Sequence, residues 1–227
     1  MTEDYENLKY DIAINTTRNT LLSCDAETDS DCTLLSGDGA LRPCHDTEDC
    51  HVICNDTFCA LRYIDASSAS SLHIECIDDE SCAYSFLICP DTTNGSCSIY
   101  CGGERACYYL TVSVNTDRYS HVHMECDGTQ HSCGQMVVDI DVRSMDYVEI
   151  FCIGSDTPCS SMEMALTAEV VNNVTVLCLE TSACRQAGFS GVVDQLSFVN
   201  VSCVAVGSCD VVLFGMSLDI DDGNGVG

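Results

Sequence analysis

The spacing of the cysteines limits this chain to a repeating fold. Apart from one extra pair, Cys89/Cys97, the distance from the second cysteine of one close pair to the first cysteine of the next is 19 residues five times in succession between Cys82 and Cys203. Within the main pairs of this stretch the distance varies between 6 and 7 residues. A packed wall keeps a constant length, whereas a surface loop tolerates insertions. The long arc is therefore predicted to form the wall of a coil of about 25 residues, and the short arc its corner.

The long arcs alternate apolar and polar residues. An apolar residue at every second position, with many β-branched residues among them, is typical of half-buried strands. The positions predicted to face inward are Leu72, Ile74, Leu110, Val112, Val114, Val122, Met124, Met136, Val138, Ile140, Val148, Ile150, Met162, Met164, Leu166, Val174, Val176, Val199, Val201, Val212, Phe214 and Met216. Equal coils stack with equivalent residues about 4.8 Å apart, and parallel crossovers are right-handed. The chain is predicted to be all-β, a right-handed parallel β-helix, with a string of EGF-like disulfide modules as the less favoured alternative.

Composition places the chain outside the cytosol. Twenty cysteines in 227 residues are typical of an oxidising compartment, so a secreted or extracellular-surface location is predicted. The 36 acidic and 8 basic residues disfavour nucleic acid and anionic lipid as partners. No apolar run approaches the ~20 residues of a membrane span. Residues 1–10 do not resemble a signal peptide, so we expect either that a leader has been removed or that the chain is part of a longer precursor.

All twenty cysteines are predicted to form disulfides. The preferred pattern links the two members of each close pair: Cys24–Cys32, Cys44–Cys50, Cys54–Cys59, Cys76–Cys82, Cys89–Cys97, Cys101–Cys107, Cys126–Cys133, Cys152–Cys159, Cys178–Cys184 and Cys203–Cys209. Links between equivalent cysteines of neighbouring coils also fit the ladder spacing, so this alternative stays open.

The repeat divides the chain into three parts. Residues 1–53 are predicted to form atypical first coils and an N-terminal cap, residues 54–218 regular coils, and residues 219–227 a polar tail. One arc is ambiguous, because Tyr84, Phe86 and Ile88 are apolar on one parity and Leu87 on the other.

The predicted surface carries glycans and one contact column. The Asn-x-Ser/Thr sequons predict N-linked glycans at Asn15, Asn55, Asn94, Asn173 and Asn200. Tyr100, Phe151 and Leu177 are predicted to occupy successive coils of one outward column and to form an interface, with Tyr84, Phe86, Tyr108 and Tyr109 as further aromatics. Alternatively, the segment from Tyr10 to Ile14 folds back over these side chains.

No catalytic residue, cofactor or metal site is predicted. Glu75 and Glu125 share an outward column with Tyr100 between them, and Asp139 and Asp141 lack carboxylate neighbours one coil away. Such isolated carboxylates do not make a glycosidase pair. His73 and His123 are interpreted as solvated strand positions. The chain is therefore expected not to be an enzyme.

The repeated motif is an apolar residue two positions before a cysteine, a short loop ending in Ser-Cys or Ala-Cys, and a Val/Ile strand. Examples of the loop end are Ser81-Cys82, Ala106-Cys107 and Ala183-Cys184. The motif resembles the Cys-rich parallel β-helix repeats, similar to pectin-lyase-like solenoids, of protist and algal surface and fibril proteins. This resemblance implies a structural glycoprotein of an extracellular filament, coat or adhesin, and we expect it to assemble with itself through the solenoid ends or through the apolar side column. The alternatives are a carbohydrate-active β-helix enzyme and a monomeric glycan-binding module.

Overall fold

A computed structural model describes residues 49–205 except 56 and 58, together with 207 and the backbone of four further strands at 11–16, 20–25, 40–41 and 213–218. This part of the chain is all-β and holds no helix that could span a membrane. The strands are β1 (Asp11–Thr16), β2 (Thr20–Asp25), β3 (Ala40–Leu41), β4 (Asp49–Cys54), β5 (Tyr63–Asp65), β6 (Ser71–Cys76), β7 (Phe86–Ile88), β8 (Gly95–Cys101), β9 (Thr111–Cys126), β10 (Val137–Cys152), β11 (Glu163–Cys178), β12 (Gly188–Cys203) and β13 (Leu213–Leu218).

Parallel strands stack into one solenoid. Strands β4, β6, β8, β9, β10, β11 and β12 pair in this order, and their last cysteines share one register position: Cys54, Cys76, Cys101, Cys126, Cys152, Cys178 and Cys203. Six steps of about 4.8 Å give this ladder a length of roughly 29 Å. The predicted parallel β-helix is confirmed.

The predicted inward positions form the core, with one exception at the last coil. From Leu72 to Val176 these side chains are buried. Val199 is 43 % exposed and Val201 is only half-buried, so the prediction is wrong there. The reason is that β13 pairs only with residues 188–193 of β12, and no described strand covers the rest of β12. Val212, Phe214 and Met216 lie outside the residues whose side chains are described.

The coil between Cys82 and Cys101 carries a disulfide inside the core. Leu87 and Cys89 face inward, whereas Tyr84 and Phe86 face outward, which resolves the ambiguous parity. Cys97 lies in register with Leu72 and Val122, so its sulfur occupies a position that is aliphatic in the neighbouring coils. The Cys89–Cys97 disulfide thus takes the place of packed side chains in this coil.

Disulfides join the members of each close pair wherever the structure describes them. Seven such bonds are present, with Cα–Cα distances between 5.7 and 6.0 Å: Cys54–Cys59, Cys76–Cys82, Cys89–Cys97, Cys101–Cys107, Cys126–Cys133, Cys152–Cys159 and Cys178–Cys184. Cys24, Cys32, Cys44 and Cys209 lie outside the residues whose side chains are described.

The corners are stacked as tightly as the walls. In four coils the amide of the second cysteine donates to the carbonyl just before the second cysteine of the next coil: Cys82 to Ala106 at 2.8 Å, Cys107 to Ser132 at 2.7 Å, Cys133 to Pro158 at 2.8 Å and Cys159 to Ala183 at 2.9 Å. The residue before each second cysteine is fully buried in the coils of Ser81, Ala106, Ser132 and Ala183. A small side chain fits this buried position in these four coils, which explains the repeated Ser-Cys and Ala-Cys ending.

A column of glycines lets the corners approach each other. Gly103, Gly128 and Gly154 each follow the first cysteine of a pair by two positions. A Cβ built on Gly128 lies 2.2 Å from the carbonyl oxygen of Gly103, and one on Gly154 lies 2.1 Å from that of Gly128. Any larger residue at these positions must push two coils apart.

The first coil of the ladder carries an antiparallel strand pair on its outer edge. Strand β1 pairs antiparallel with β4 and with β2. Such pairing satisfies backbone groups that an open solenoid end would leave exposed. Residues 219–227, predicted to be a tail, lie outside the described residues.

We expect Tyr119→Phe to leave stability unchanged or to raise it by up to ~1 kcal/mol, because the Tyr119 hydroxyl is buried and has no protein hydrogen-bond partner among the described residues. Burial, followed by the charge of Asp91, raises the pKa of this phenol above its ordinary value. The folded state therefore holds the proton more tightly than the unfolded state. This contribution is complete below pH ~10 and is lost as the pH rises toward the folded pKa.

The measurement is urea unfolding of both proteins, without reductant, at pH 8 and above pH 10. Tyr119→Phe should flatten the alkaline decline in stability. A variant whose free energy of unfolding falls by more than ~1 kcal/mol at pH 8 contradicts the expectation, since such a loss indicates that the Tyr119 hydroxyl makes a stabilising hydrogen bond.

Candidate functional site

The predicted interface column is not continuous. Glu125 lies between Tyr100 and Phe151 in the register, so the three predicted residues do not occupy successive coils, and that prediction is wrong. The cysteine spacing already places Glu125, the residue before Cys126, between them. Only Phe151 and Leu177 are direct neighbours. All three side chains are half-buried, and the pKa of Tyr100 is raised by burial and then by Asp127 and the flanking glutamates.

Exposed aromatic side chains gather instead at the disulfide corner of the N-terminal coils. We call this surface the aromatic corner, and it consists of Leu61, Tyr63, Tyr84, Phe86, Tyr108 and Tyr109. Leu61 is 77 % exposed, Tyr84 48 % and Tyr109 44 %. Four of these residues were named from the sequence as additional aromatics, but the structure alone brings them together.

The aromatic rings stack along the axis of the solenoid. Tyr84 and Tyr109 lie on neighbouring coils with centroids 5.2 Å apart, and Tyr63 and Phe86 are parallel at 5.4 Å. Tyr108 meets Tyr109 edge-on at 4.6 Å. These distances match the geometry in which aromatic pairs attract each other. The coil spacing of the ladder thus stacks Tyr84 on Tyr109 and Tyr63 on Phe86, with Tyr108 edge-on to Tyr84 and Tyr109.

The corner backbone turns these side chains outward. Leu61, Tyr84 and Tyr109 each follow the second cysteine of a pair by two positions, and each has a positive φ between 56° and 58°. Ser85, between Tyr84 and Phe86, points inward and donates to the carbonyl of Cys59 at 2.5 Å. The buried serine anchors the backbone while the rings on either side stay in solvent.

Internal comparison shows that the fold does not require aromatic residues there. Gln135, Ser161 and Gln186 occupy the same position in later coils, with φ between 54° and 58°. A large side chain at positive φ is unusual and costs free energy. Folding therefore does not require tyrosine at positions 84 and 109. A surface function explains Tyr84 and Tyr109 better.

Arginine side chains lie beside the aromatic corner. The Arg105 guanidinium lies 4.8 Å from the centre of the Tyr108 ring and 2.9 Å from Glu80. Burial, then Tyr109 and Tyr84, raise the pKa of Tyr108, while Arg105 acts in the opposite direction. Tyr and Arg are enriched at protein interfaces. Arg62 is also exposed beside this surface.

A second corner of the solenoid is acidic. A shallow groove of about 700 Å³ is lined by residues of five successive coils, including Asp91, Asp117, Asp141, Arg143, Glu169 and Asp194. Arg143 lies 3.4 Å from Glu169. The expectation that Asp141 has no carboxylate one coil away holds, since its register partners are Asn115 and Thr167.

The histidines are not simply solvated. His73 and His123 lie on the outer face of the wall that ends in the first cysteines, and both contact glutamates. His51 joins them because the first coil is 22 residues long instead of 25, which places His51 beside His73. Among the described residues, His51, His73 and Glu75 have ligand atoms close enough together to hold a metal ion. A sequence search for His and Glu at alternate positions before successive cysteines could have found them.

Two of the sequons lie on exposed surface. Asn94 and Asn200 are exposed, whereas Asn55 and Asn173 are half-buried. The side-chain oxygen of Asn173 accepts a hydrogen bond from Thr175, the third residue of its own sequon, at 3.3 Å. The side chain of Asn15 lies outside the described residues. Glycosylation at all five sites stays a prediction.

Comparison with known proteins yields no match: no protein-family model fits the chain, and neither a curated protein nor a solved structure matches it. The fold and surface define the class instead. The chain is a parallel β-solenoid whose corners are closed by disulfides and whose N-terminal coils present an aromatic corner.

Proposed function

We propose that this protein is a structural glycoprotein of an extracellular filament, coat or adhesin, and that copies assemble laterally. The aromatic corner of one copy contacts the acidic groove of the next. The observation that carries the proposal is the exposed, stacked aromatic corner at positions where other coils of the same chain use Gln and Ser.

Charge complementarity supports a second copy as the partner. The chain has 8 basic and 36 acidic residues, and Arg62 and Arg105 lie beside the aromatic corner. The groove offers several carboxylates on a different corner of the same solenoid. Contact between two different surfaces is heterologous, and such contacts build open filaments unless a rotation closes them.

A matched pair of variants tests the aromatic corner. In Tyr84→Gln/Tyr109→Gln each tyrosine is replaced by the residue that later coils carry at the same position, so folding should be preserved. The control is Tyr147→Asn, which removes an aromatic residue that is 47 % exposed on another wall and installs the residue found one coil later, Asn173. Negative-stain electron microscopy and sedimentation velocity of the natively purified, unreduced proteins report assembly.

We expect the wild type and Tyr147→Asn to form regular polymers, and the double variant to remain dispersed. Raising the ionic strength should shift the wild type toward monomers, because exposed charge pairs are screened. Wild-type rods that stay dispersed under all conditions contradict assembly. Saturable binding of a polysaccharide by such rods supports a monomeric glycan-binding module, and its cleavage supports a carbohydrate-active enzyme acting in the acidic groove.

A further inference from the structure

A pair of two-histidine, one-glutamate clusters lies on the outer face of the cysteine-ended wall. In the first cluster, Glu75 Oε1 lies 2.5 Å from His51 Nε2 and 3.1 Å from His73 Nε2. In the second, Glu149 Oε2 lies 3.0 Å from His121 Nε2 and 3.3 Å from His123 Nδ1. Four of the six histidines of the chain thus contact two glutamates. The first cluster takes its histidines from two neighbouring coils, whereas in the second both histidines lie on β9 and the glutamate on β10.

The pairing register of two neighbouring coils brings the residues of the first cluster together. His51 on β4 is the direct neighbour of His73 on β6, and their ring centroids are 4.7 Å apart. Glu75 follows His73 by two positions on the same strand, so both side chains point to the same face. The three ligand atoms all lie within 4.8 Å of one another. A tetrahedral ion with bonds of about 2.0–2.1 Å separates its ligands by about 3.3 Å, so small side-chain rotations suffice.

The surroundings suit a bound ion. The side chains of His51, Glu75 and His73 are 26 %, 28 % and 43 % exposed, which leaves an ion access from solvent. His73 Nδ1 lies 3.0 Å from the hydroxyl of Ser98. When Nδ1 carries the proton and donates a hydrogen bond to the Ser98 hydroxyl, the free lone pair of the ring is on Nε2. Nε2 is the nitrogen that faces Glu75. Such partners orient the histidine ligands of metal sites.

The fold does not require these residues. The positions of His73 and His123 are occupied by Thr175 and Asn200 in later coils, and those of Glu75 and Glu125 by Leu177 and Ser202. The same wall therefore stacks equally well without imidazole or carboxylate. A depression of about 250 Å³ lies between the clusters, lined by His73, Glu75, Ser98, Tyr100, His123 and Glu125.

We propose that His51, His73 and Glu75 bind one divalent transition-metal ion of the Zn²⁺ type, and that His121, His123 and Glu149 bind a second. No described cysteine is free, so thiolate ligands are not available in this part of the chain. Imidazole favours Zn²⁺ and its neighbours in the transition series, whereas Ca²⁺ and Mg²⁺ prefer oxygen ligands alone. Three protein ligands leave the fourth position of a tetrahedral ion to water or to an incoming group.

The test measures Zn²⁺ bound per chain after equilibrium dialysis of the natively purified, unreduced protein. Excess Ca²⁺ is present throughout to occupy the acidic surface, which binds cations without imidazole. We expect two Zn²⁺ ions for the wild type, one for His73→Gln, one for His123→Gln and none for the double variant. His131→Gln is the control, because His131 contacts Thr157 and lies in neither cluster.

Circular dichroism and disulfide mapping establish that each variant is folded. A wild type that retains no Zn²⁺ in the presence of Ca²⁺ overturns the proposal. So does a His73→Gln protein that binds as much Zn²⁺ as the wild type. Equal binding by His123→Gln and the wild type overturns the second site. Substitution of Co²⁺ for Zn²⁺ gives an independent signal, since visible absorption bands report nitrogen and oxygen ligands in a four-coordinate site.

Discussion

Gly128→Ala should lower the stability of the solenoid by about 3 kcal/mol, because the added methyl group has no space. Its Cβ is placed 2.2 Å from the carbonyl oxygen of Gly103, a backbone atom held by the corner of the neighbouring coil. No side-chain rotation relieves this contact, so two coils have to separate. Their separation weakens the corner hydrogen bonds, such as the one from the Gly128 amide to Cys101.

Gly188→Ala is the matched control. Gly188 also lies in the solenoid, but a Cβ built on it has no atom within 4 Å. We expect this variant to be neutral or slightly stabilised, since alanine restricts the unfolded chain more than glycine does. Thermal unfolding of the unreduced proteins should place the midpoint of Gly128→Ala roughly 6–12 °C below those of the wild type and Gly188→Ala. Equal midpoints for the two variants would show that the corners are not in close contact.

Removing one cysteine should damage the protein more than removing its whole pair. The sulfurs of Cys126, Cys152 and Cys159 all lie within 4.8 Å of one another, so neighbouring disulfides form a continuous column. In Cys159→Ser the remaining thiolate of Cys152 can attack Cys126. A Cys126–Cys152 disulfide then forms, and Cys133 leaves as a thiolate. The newly freed thiolate can continue the exchange along the column.

In Cys152→Ser/Cys159→Ser no such thiol exists. The double variant should lose the closure of a short loop, about 2–3 kcal/mol by the chain-entropy model, together with the cost of burying two serine hydroxyls where the sulfurs were. Peptide mapping without reduction, after incubation at mildly alkaline pH, distinguishes the two proteins. We expect peptides linked through Cys126 and Cys152 from the single variant, and native links elsewhere in the double variant. A single variant that keeps Cys126–Cys133 intact with a free Cys152 contradicts the exchange.

The sequence alone determined the length of the repeat and which residues of each coil face the core. The constant arc of 19 residues and the alternation of apolar residues predicted which side chains lie in the core, and they do so from Leu72 to Val176. These features were accessible because strand alternation is a local property of the backbone. Pairing within each cysteine pair was favoured on the same local grounds, although links between coils remained open until the structure decided.

Only the tertiary structure decided several of the contacts across coils. One shorter first coil brings His51 beside His73 and Glu75, and the stacked corners bring Tyr84 against Tyr109. Neighbours in a solenoid are separated by a whole turn of chain, so an error of a few residues, or one omitted coil, changes every lateral contact. The positive φ angles that turn Tyr84 and Tyr109 into solvent are likewise set by the stacked corners and not by local preference, since aromatic residues seldom adopt them.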